Sequence, residues 1–315
     1  MDAVILDPEL VPLLESAPVW SFSADSLASI REGRSLAMAV ELSDDVERTD
    51  HVVSTDPYVV VRVHRPKAAD GNARPGVYSI HGGGYVMGTY EMDDARFDRY
   101  CTRLQCVGVS VEYRLAPESP YPGPIEDCYA GLRWMHAHSD ELGVDPDHIG
   151  VTGISAGGGL AAALALLARD RGEVPLAFQL LECPMLDDRQ VTSSSQLDGL
   201  PIWSRESNEF GWRSYLGKLY GRDDIPIYAA PARADDLTGL PPTLVIVGGA
   251  DGFRDENIAY AMRLNQAGVP TELHVLPGAP HGVQMFAGSA VATRWSRIVT
   301  EWLASRLGST DPSPG

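Results

Sequence analysis

Residues 148–169 read HIGVTGISAGGGLAAALALLAR, and the order of patterns in this stretch predicts the fold. His148 to Thr152 has the apolar and β-branched character of a short buried strand. The turn Gly153-Ile154-Ser155-Ala156-Gly157 follows, and an alanine- and leucine-rich helix runs from Ala156 to Arg169. A strand that turns sharply into a helix at a serine exposes that hydroxyl above the sheet. Ser155 is therefore the candidate nucleophile.

Strand and helix patterns alternate on both sides of this stretch. The other predicted strands are Tyr58–His64, Gly76–His81, Cys106–Tyr113, Ala177–Cys183, Thr243–Val247 and Glu272–Leu276. The other predicted helices are Asp93–Leu104, Ile125–Leu142, Asp255–Gln266 and Val291–Leu307. This alternation predicts an α/β fold with a mostly parallel sheet and helices on both faces.

Two segments do not fit the alternation. Residues 1–45 carry helical patterns, and residues 187–225 are rich in aromatic side chains. We interpret both as a cap over the carboxyl ends of the strands, where sites of parallel sheets form; the alternative is that they only extend the core. Residues 46–186 and 226–308 then form the two parts of the core, and 309–315 a flexible tail.

Composition excludes several classes of function. A net charge of −18 repels phosphate backbones and anionic membrane surfaces, so we expect no nucleic-acid or membrane partner. No apolar run reaches 18 residues, and the acidic start MDAVILDPE is unlike a signal peptide. The chain has four cysteines without a CxxC pair, which predicts reduced, mostly buried thiols. We therefore expect a cytoplasmic globular protein.

A second glycine-rich motif, His81-Gly82-Gly83-Gly84, directly follows a predicted strand. The N–H groups of Gly82, Gly83 and Gly84, with that of Ala156, are candidate donors to an oxyanion. His81 is expected to orient this loop, and a plain turn is the alternative. The alternative for the Ser155 turn, a phosphate-binding helix start, lacks the lysine or GxGxxG spacing that it would need.

A serine nucleophile requires a base and an orienting carboxylate. Of the eight histidines, His281 alone stands in a glycine–proline loop after a C-terminal strand, which makes it the candidate base. Asp251 follows the run Thr243–Gly249 and is the preferred acid, because Asp255 is explained as the start of the next helix. No HExxH, CxxC or Walker pattern is present, so we expect no metal and no cofactor.

These motifs resemble the hormone-sensitive-lipase-like esterases, a bacterial branch of the α/β-hydrolases. The resemblance covers about residues 76 to 283 and rests on HGGG (81–84), VEYRLAPE (111–118), YPGP (121–124), SAGGGL (155–160) and PHG (280–282). Residues 155–160 and 186–189 are similar to actinobacterial members of the heroin esterase type. The resemblance implies an eight-stranded α/β-hydrolase sheet, a helical cap, short-chain ester hydrolysis, and often a homodimer through the last strand and helix.

The sequence departs from the family pattern at three places. Ile154 is apolar before the nucleophile, Asp251 is followed by Gly-Phe rather than Pro-Leu, and His281 by Gly-Val rather than Gly-Phe. None of these changes removes a group that the chemistry needs. We expect Tyr85, Ile154, Trp203, Phe210 and Trp212 to bind substrates with acyl chains of about two to eight carbons.

The expected function is a serine carboxylesterase that acts on a small-molecule ester through an acyl-enzyme on Ser155. An amidase, a lactonase or an acyltransferase would use the same three residues. A ligand-binding protein on a catalytically dead scaffold would have lost one of them, and Ser155, Asp251 and His281 are all present.

Overall fold

The computed structural model describes residues 4–16, 22–36, 41–67 and 71–309. Most of the tail predicted at 309–315 lies outside the described residues.

One eight-stranded sheet forms the centre of the molecule. Its strands are β1 (Val46–Thr55), β2 (Tyr58–Pro66), β3 (Arg74–Ile80), β4 (Val107–Glu112), β5 (Val144–Ile154), β6 (Phe178–Glu182), β7 (Thr243–Gly248) and β8 (Thr271–Leu276). They lie in the order β1-β2-β4-β3-β5-β6-β7-β8. β2 is antiparallel to both neighbours, and β3 to β8 are parallel, so their carboxyl ends share one edge. The predicted fold class is confirmed.

Helices cover both faces of this sheet and form two hydrophobic cores. The helices of the described residues are α1 (Val11–Glu15), α2 (Leu27–Leu36), α3 (Asp94–Leu104), α4 (Gly123–Ala137), α5 (Ser139–Leu142), α6 (Ala156–Arg171), α7 (Arg205–Leu216), α8 (Arg254–Gln266) and α9 (Ala290–Leu307). Side chains of α4, α6 and α8 build the larger core, and those of α3 and α9 the other. α6 is buried almost throughout, as its alanine- and leucine-rich sequence predicts.

Two elements differ from the prediction. β1 was not predicted, because an edge strand with few buried residues carries no apolar alternation. The helix predicted at Ile125–Leu142 is divided at His138, whose backbone leaves the helical region between α4 and α5. Neither difference moves a predicted site residue to another strand.

The two segments interpreted as a cap contact each other and the HGGG loop. The rings of Phe22 and Trp203 lie 5.1 Å apart. Arg31 of α2 donates from Nε to the carbonyl of Val86 at 2.7 Å and from Nη2 to the carbonyl of Ala116 at 2.9 Å. Side chains therefore connect the N-terminal segment to the chain around the HGGG loop.

The four cysteines are buried and unpaired, as predicted. Among the described helices, none is both long enough and apolar enough to span a membrane.

Candidate active site

Ser155 lies on a sharp turn between β5 and α6 with φ 58° and ψ −122°, a conformation that is strained for any residue with a Cβ. Glycine is required on both sides of it. A Cβ on Gly153 would lie 2.1 Å from the carbonyl oxygen of Gly157, and one on Gly157 would lie 2.1 Å from that of Ile80. The two glycines let the helix start pack directly against β5 and the end of β3, which holds the serine above the sheet.

Ser155, His281 and Asp251 form one hydrogen-bonded chain. Ser155 Oγ lies 2.9 Å from His281 Nε2, and His281 Nδ1 lies 2.8 Å from Asp251 Oδ2. The other carboxylate oxygen of Asp251 accepts the backbone N–H of Phe253 at 2.9 Å. All three side chains are buried, with exposed fractions of 6%, 8% and 1% for Ser155, His281 and Asp251. They reach one another because the loops after the parallel strands β5, β7 and β8 meet at one edge of the sheet.

The pKa of His281 lies well above the ordinary value of a histidine. Burial disfavours the charged ring, but the attraction and hydrogen bond of Asp251 outweigh burial, and Cys183 acts in the same direction. The carboxylate also fixes the tautomer that leaves Nε2 to face the serine. This ring is thus a stronger base than a solvated imidazole.

The HGGG loop lies beside the nucleophile. A Cβ on Gly82 would meet the carbonyl oxygen of Ile154 at 2.8 Å and Ser155 Cβ at 3.4 Å. Among the described residues, the N–H groups of Gly82, Gly83, Gly84 and Ala156 donate no hydrogen bond. Backbone donors without a protein acceptor, next to a nucleophile, are the arrangement that binds an oxyanion.

His81 holds this loop in place. Its ring stacks on Tyr113 at 4.2 Å, and its Nδ1 lies 2.9 Å from the carbonyl of Gly82. The hydroxyl of Tyr113 donates to the His81 carbonyl at 3.0 Å. The side chain thus has the orienting position expected for it.

A cavity of about 130 Å³ opens onto Ser155. Its described lining consists of His81, Gly82, Gly83, Gly84, Met87, Met92, Asp93, Ile154, Ser155, Ile202, Trp203, His281, Gly282, Gln284 and Met285. Of the predicted substrate residues, Ile154 and Trp203 line it. The methionines Met87, Met92 and Met285 were not predicted, because methionine carries no distinctive signal in a sequence.

The structure places Tyr85, Phe210 and Trp212 outside the described lining of this cavity, so their role in substrate binding stays a prediction. Tyr85 is fully buried, stacks on Tyr215 at 4.0 Å and donates its hydroxyl to the carbonyl of Met185 at 3.1 Å. Trp212 is also fully buried, 5.5 Å from Tyr85, and the half-buried Phe210 packs on the same core. The aromatic side chains of α7 face the core because their helical spacing puts one side of the helix against it.

Asp255, the alternative acid, lies outside the hydrogen-bonded chain. Its carboxylate accepts the N–H of Ser194 at 2.7 Å and pairs with Arg254 at 2.8 Å. It occupies the first turn of α8, as predicted from its position.

Glu182 and Cys183, at the end of β6, contact the hydrogen-bonded chain and were not predicted as site residues. The carbonyl of Glu182 accepts the N–H of Ser155 at 2.8 Å, and burial raises the pKa of the Cys183 thiol.

Ligand atoms of Cys183, Asp251 and His281 lie within 4.8 Å of one another, a set that suits a soft metal ion. A metal on His281 Nδ1 would have to displace the Asp251 hydrogen bond, so metal binding and the hydrogen-bonded chain exclude each other there. That this protein binds no metal ion stays a prediction from its sequence.

The fold and this constellation define an α/β-hydrolase with a serine, histidine and aspartate at the ends of its strands. The chain belongs to the Abhydrolase_3 family, described as alpha/beta hydrolase fold, whose model matches residues 77–285. The predicted resemblance to the hormone-sensitive-lipase-like family is thereby confirmed.

The chain is similar to proteins named as esterases and to one named as a deacetylase. The carboxylesterase NlhH of Mycobacterium tuberculosis is 38% identical over 90% of this chain and 90% of its own. The arylacetamide deacetylase of Oryctolagus cuniculus is 31% identical over 79% of this chain and 78% of its own. A solved structure titled bacterial heroin esterase is 43% identical, with a TM-score of 0.92 over 96% of this chain and 98% of that chain.

Proposed function

We propose that this protein is a serine carboxylesterase that hydrolyses esters of short carboxylic acids. The observation that carries the proposal is the unbroken chain from Ser155 Oγ through His281 to Asp251, with donors of the HGGG loop beside it. The names of its relatives support the same chemistry.

Acylation begins when Ser155 Oγ attacks the ester carbonyl carbon while His281 Nε2 accepts the hydroxyl proton. Negative charge develops on the carbonyl oxygen, where the N–H groups of Gly82, Gly83, Gly84 and Ala156 stabilise it. The tetrahedral intermediate collapses, the bond to the leaving oxygen breaks, and protonated His281 donates its proton to the departing alcohol. Asp251 remains ionised and stabilises the imidazolium that forms between these steps.

Deacylation repeats the sequence with water. His281 takes a proton from water, the hydroxide attacks the acyl carbon, and the same backbone donors hold the oxyanion. His281 then protonates Ser155 Oγ, which leaves the carboxylic acid and the free enzyme.

The cavity limits the size of the substrate. A volume of about 130 Å³ lies below the range of about 300–1,000 Å³ that drug-sized ligands occupy, and Trp203 closes one side of it. The surface of its walls is mostly apolar, with Asp93 as the carboxylate of the lining outside the hydrogen-bonded chain, which favours an uncharged acyl group. We therefore infer that acetyl to butyryl esters are the preferred substrates within the predicted range.

Initial rates on p-nitrophenyl acetate, butyrate, octanoate and palmitate test the proposal, with Ser155→Ala as the matched inactive variant. We expect the short esters to turn over fastest, and Ser155→Ala to lower kcat/KM by at least about 10³-fold while the melting temperature stays within a few degrees. Equal rates for wild type and Ser155→Ala would overturn the mechanism.

Because one relative is named arylacetamide deacetylase, an amide is the second candidate substrate for this site. Rates on p-nitrophenyl butyrate and on the matched p-nitrobutyranilide separate the two, because both release an aromatic leaving group from the same acyl chain. A higher kcat/KM on the anilide would replace the esterase with an amidase.

The cap formed by residues 1–45 and 187–225, a homodimer through β8 and α9, and a cytoplasmic location stay predictions.

A further inference from the structure

A second cavity of about 360 Å³ lies between α3 and α9, next to the catalytic cavity. Gln284 lines both cavities. The described lining of the second cavity comes mainly from α3, from α9 and from the end of β6, and it includes Arg96, Arg99, Arg103 and Arg297. We call it the arginine cleft.

The charge of this cleft is opposite to that of the whole protein. Arg96, Arg99 and Arg103 stand at positions i, i+3 and i+7 of α3, so they share one face of that helix. Arg297 of α9 is the fourth arginine of the lining. Four guanidinium groups at one site of a chain with a net charge of −18 create a local positive potential.

The only carboxylate in the described lining of the cleft is already engaged. Glu182 is 2% exposed; it pairs with Arg96 at 3.1 Å and accepts the indole N–H of Trp295 at 2.6 Å. The guanidinium of Arg99 is exposed and makes no ion pair with a described residue. That of Arg297 is half-exposed and lies 3.9 Å from Glu301. Arg96 also lies 4.0 Å from Asp93. The guanidinium of Arg99 therefore adds a positive charge to the cleft that no described carboxylate pairs with.

Neutral donors complete the lining. Thr293, Ser296 and Thr300 stand at i, i+3 and i+7 of α9, so their hydroxyls share the face that turns toward the arginines. Arginine binds carboxylate and phosphate oxygens with two parallel hydrogen bonds, and hydroxyl groups donate to the remaining oxygens.

We propose that the arginine cleft binds a small polyanion with two or more phosphate or carboxylate groups. The volume leaves room for a small ligand of this class, and the separated guanidinium groups favour several charges over one. This proposal does not depend on the proposed esterase activity, because none of the three residues of the hydrogen-bonded chain lines the cleft.

Calorimetric titration of Ser155→Ala protein with inorganic pyrophosphate, and separately with citrate, tests the proposal at a constant ionic strength of about 0.15 M. The two probes distinguish phosphate from carboxylate ligands. The test variant is the double substitution Arg99→Gln/Arg103→Gln. The control is Arg213→Gln/Arg222→Gln, which removes two exposed arginines outside the cleft.

We expect at least one probe to bind with a Kd below about 1 mM, and the double substitution to weaken it about tenfold or more while the control changes it less than about twofold. Arg99→Lys keeps the positive charge but cannot form two parallel hydrogen bonds to one anionic group, so its Kd should lie between those of the control and of the double variant. It replaces the double variant in the test if that protein does not fold. No binding of either probe, or equal weakening by the control, would overturn the proposal. A third result would also overturn the proposal: neither probe binds, the wild type is a dimer, and the double variant is a monomer. The cleft would then be a contact surface for a second copy of the chain.

Discussion

Single residues determine the chemistry of this site through their burial and their immediate neighbours. His281 is almost fully buried, yet Asp251 holds its pKa above the ordinary value. The base works only when its ring is neutral, so a raised pKa moves the onset of activity to higher pH. We therefore expect Asp251 to set both the orientation of the base and the pH range in which it functions.

We expect kcat/KM of the wild type to rise with pH through an inflection above the ordinary histidine value and then to level off. In Asp251→Asn, the loss of the carboxylate should lower the pKa of His281, so the inflection moves to lower pH while the plateau falls by about 10³- to 10⁴-fold. A pH–rate profile on p-nitrophenyl butyrate measures both quantities. An inflection at the same pH in both proteins would contradict the role given to Asp251.

Trp203 is the residue that we expect to select the acyl chain. A Cβ on Gly84 would meet its ring at 2.1 Å, so the indole lies directly on the HGGG loop. Trp203→Ala should enlarge the cavity and raise the ratio of kcat/KM for octanoate over acetate by about tenfold. Trp134→Ala is the control, since Trp134 stacks on His138 outside the cavity lining and should leave the ratio unchanged. A ratio that is equal in all three proteins would remove Trp203 from the pocket wall.

At the scale of elements, close backbone packing positions the nucleophile. Gly157 and Gly158 are neighbours in α6, but a Cβ would meet different surroundings at each. At Gly157 it would lie 2.1 Å from a β3 carbonyl oxygen, whereas at Gly158 the nearest atoms are those of Pro184 at 3.0 Å and the carbonyl oxygen of Gly153 at 3.1 Å, a much smaller overlap. A contact of 2.1 Å requires the backbone to shift, whereas contacts of 3.0–3.1 Å require the neighbours to move by only a few tenths of an ångström.

Gly157→Ala is therefore expected to lower the free energy of unfolding by about 2 kcal/mol or more and to reduce activity, because the helix start must shift. Gly158→Ala should cost less, since the better helix propensity of alanine, up to about 1 kcal/mol, offsets part of the contact. Urea denaturation and ester hydrolysis of both variants check this order. Equal stability of the two would show that contact with β3 does not limit the position of α6.

The elements near the site could be predicted better than the walls of its cavity. The turn at Ser155, the HGGG loop and the His281 loop depend on glycines and on chain order, and such local signals are visible in a sequence. β1 was missed because it lies at an edge and is half-exposed. Of the aromatic and apolar residues predicted to bind substrate, only Ile154 and Trp203 line the described cavity, because the direction in which the aromatic residues of α7 face depends on tertiary packing.

At the scale of the whole molecule, the N-terminal segment is fastened to the core by a few long-range contacts. Besides its hydrogen bonds to two carbonyls, Arg31 pairs with Glu118 at 2.8 Å. The residues that carry those carbonyls, Val86 and Ala116, are fully buried. Their oxygens would lose their partners if Arg31 were shortened.

Arg31→Gln should therefore lower the free energy of unfolding by about 1–3 kcal/mol, the cost of leaving buried acceptors without donors. The control Arg65→Gln removes a pair with Glu47 in which both side chains are about half-exposed, and it should change stability by less than about 1 kcal/mol. Urea denaturation measures both variants, and limited proteolysis reports whether residues 1–45 become accessible. An equal loss of unfolding free energy in the two variants would mean that Arg31 contributes no more to stability than an exposed ion pair does.

The loop that carries His281 follows β8, which lies at the edge of the sheet of the single chain, pairs with β7 alone among the described strands and is mostly unburied along its length. An edge strand exchanges its amide hydrogens and frays at a lower free energy than the centre of a sheet. A brief opening of β8 would separate the imidazole from the serine while β5, in the middle, stays intact. On heating, hydrolysis should then cease before the bulk of the fold melts, and a covalent ester analogue on Ser155 should slow hydrogen exchange first in β8.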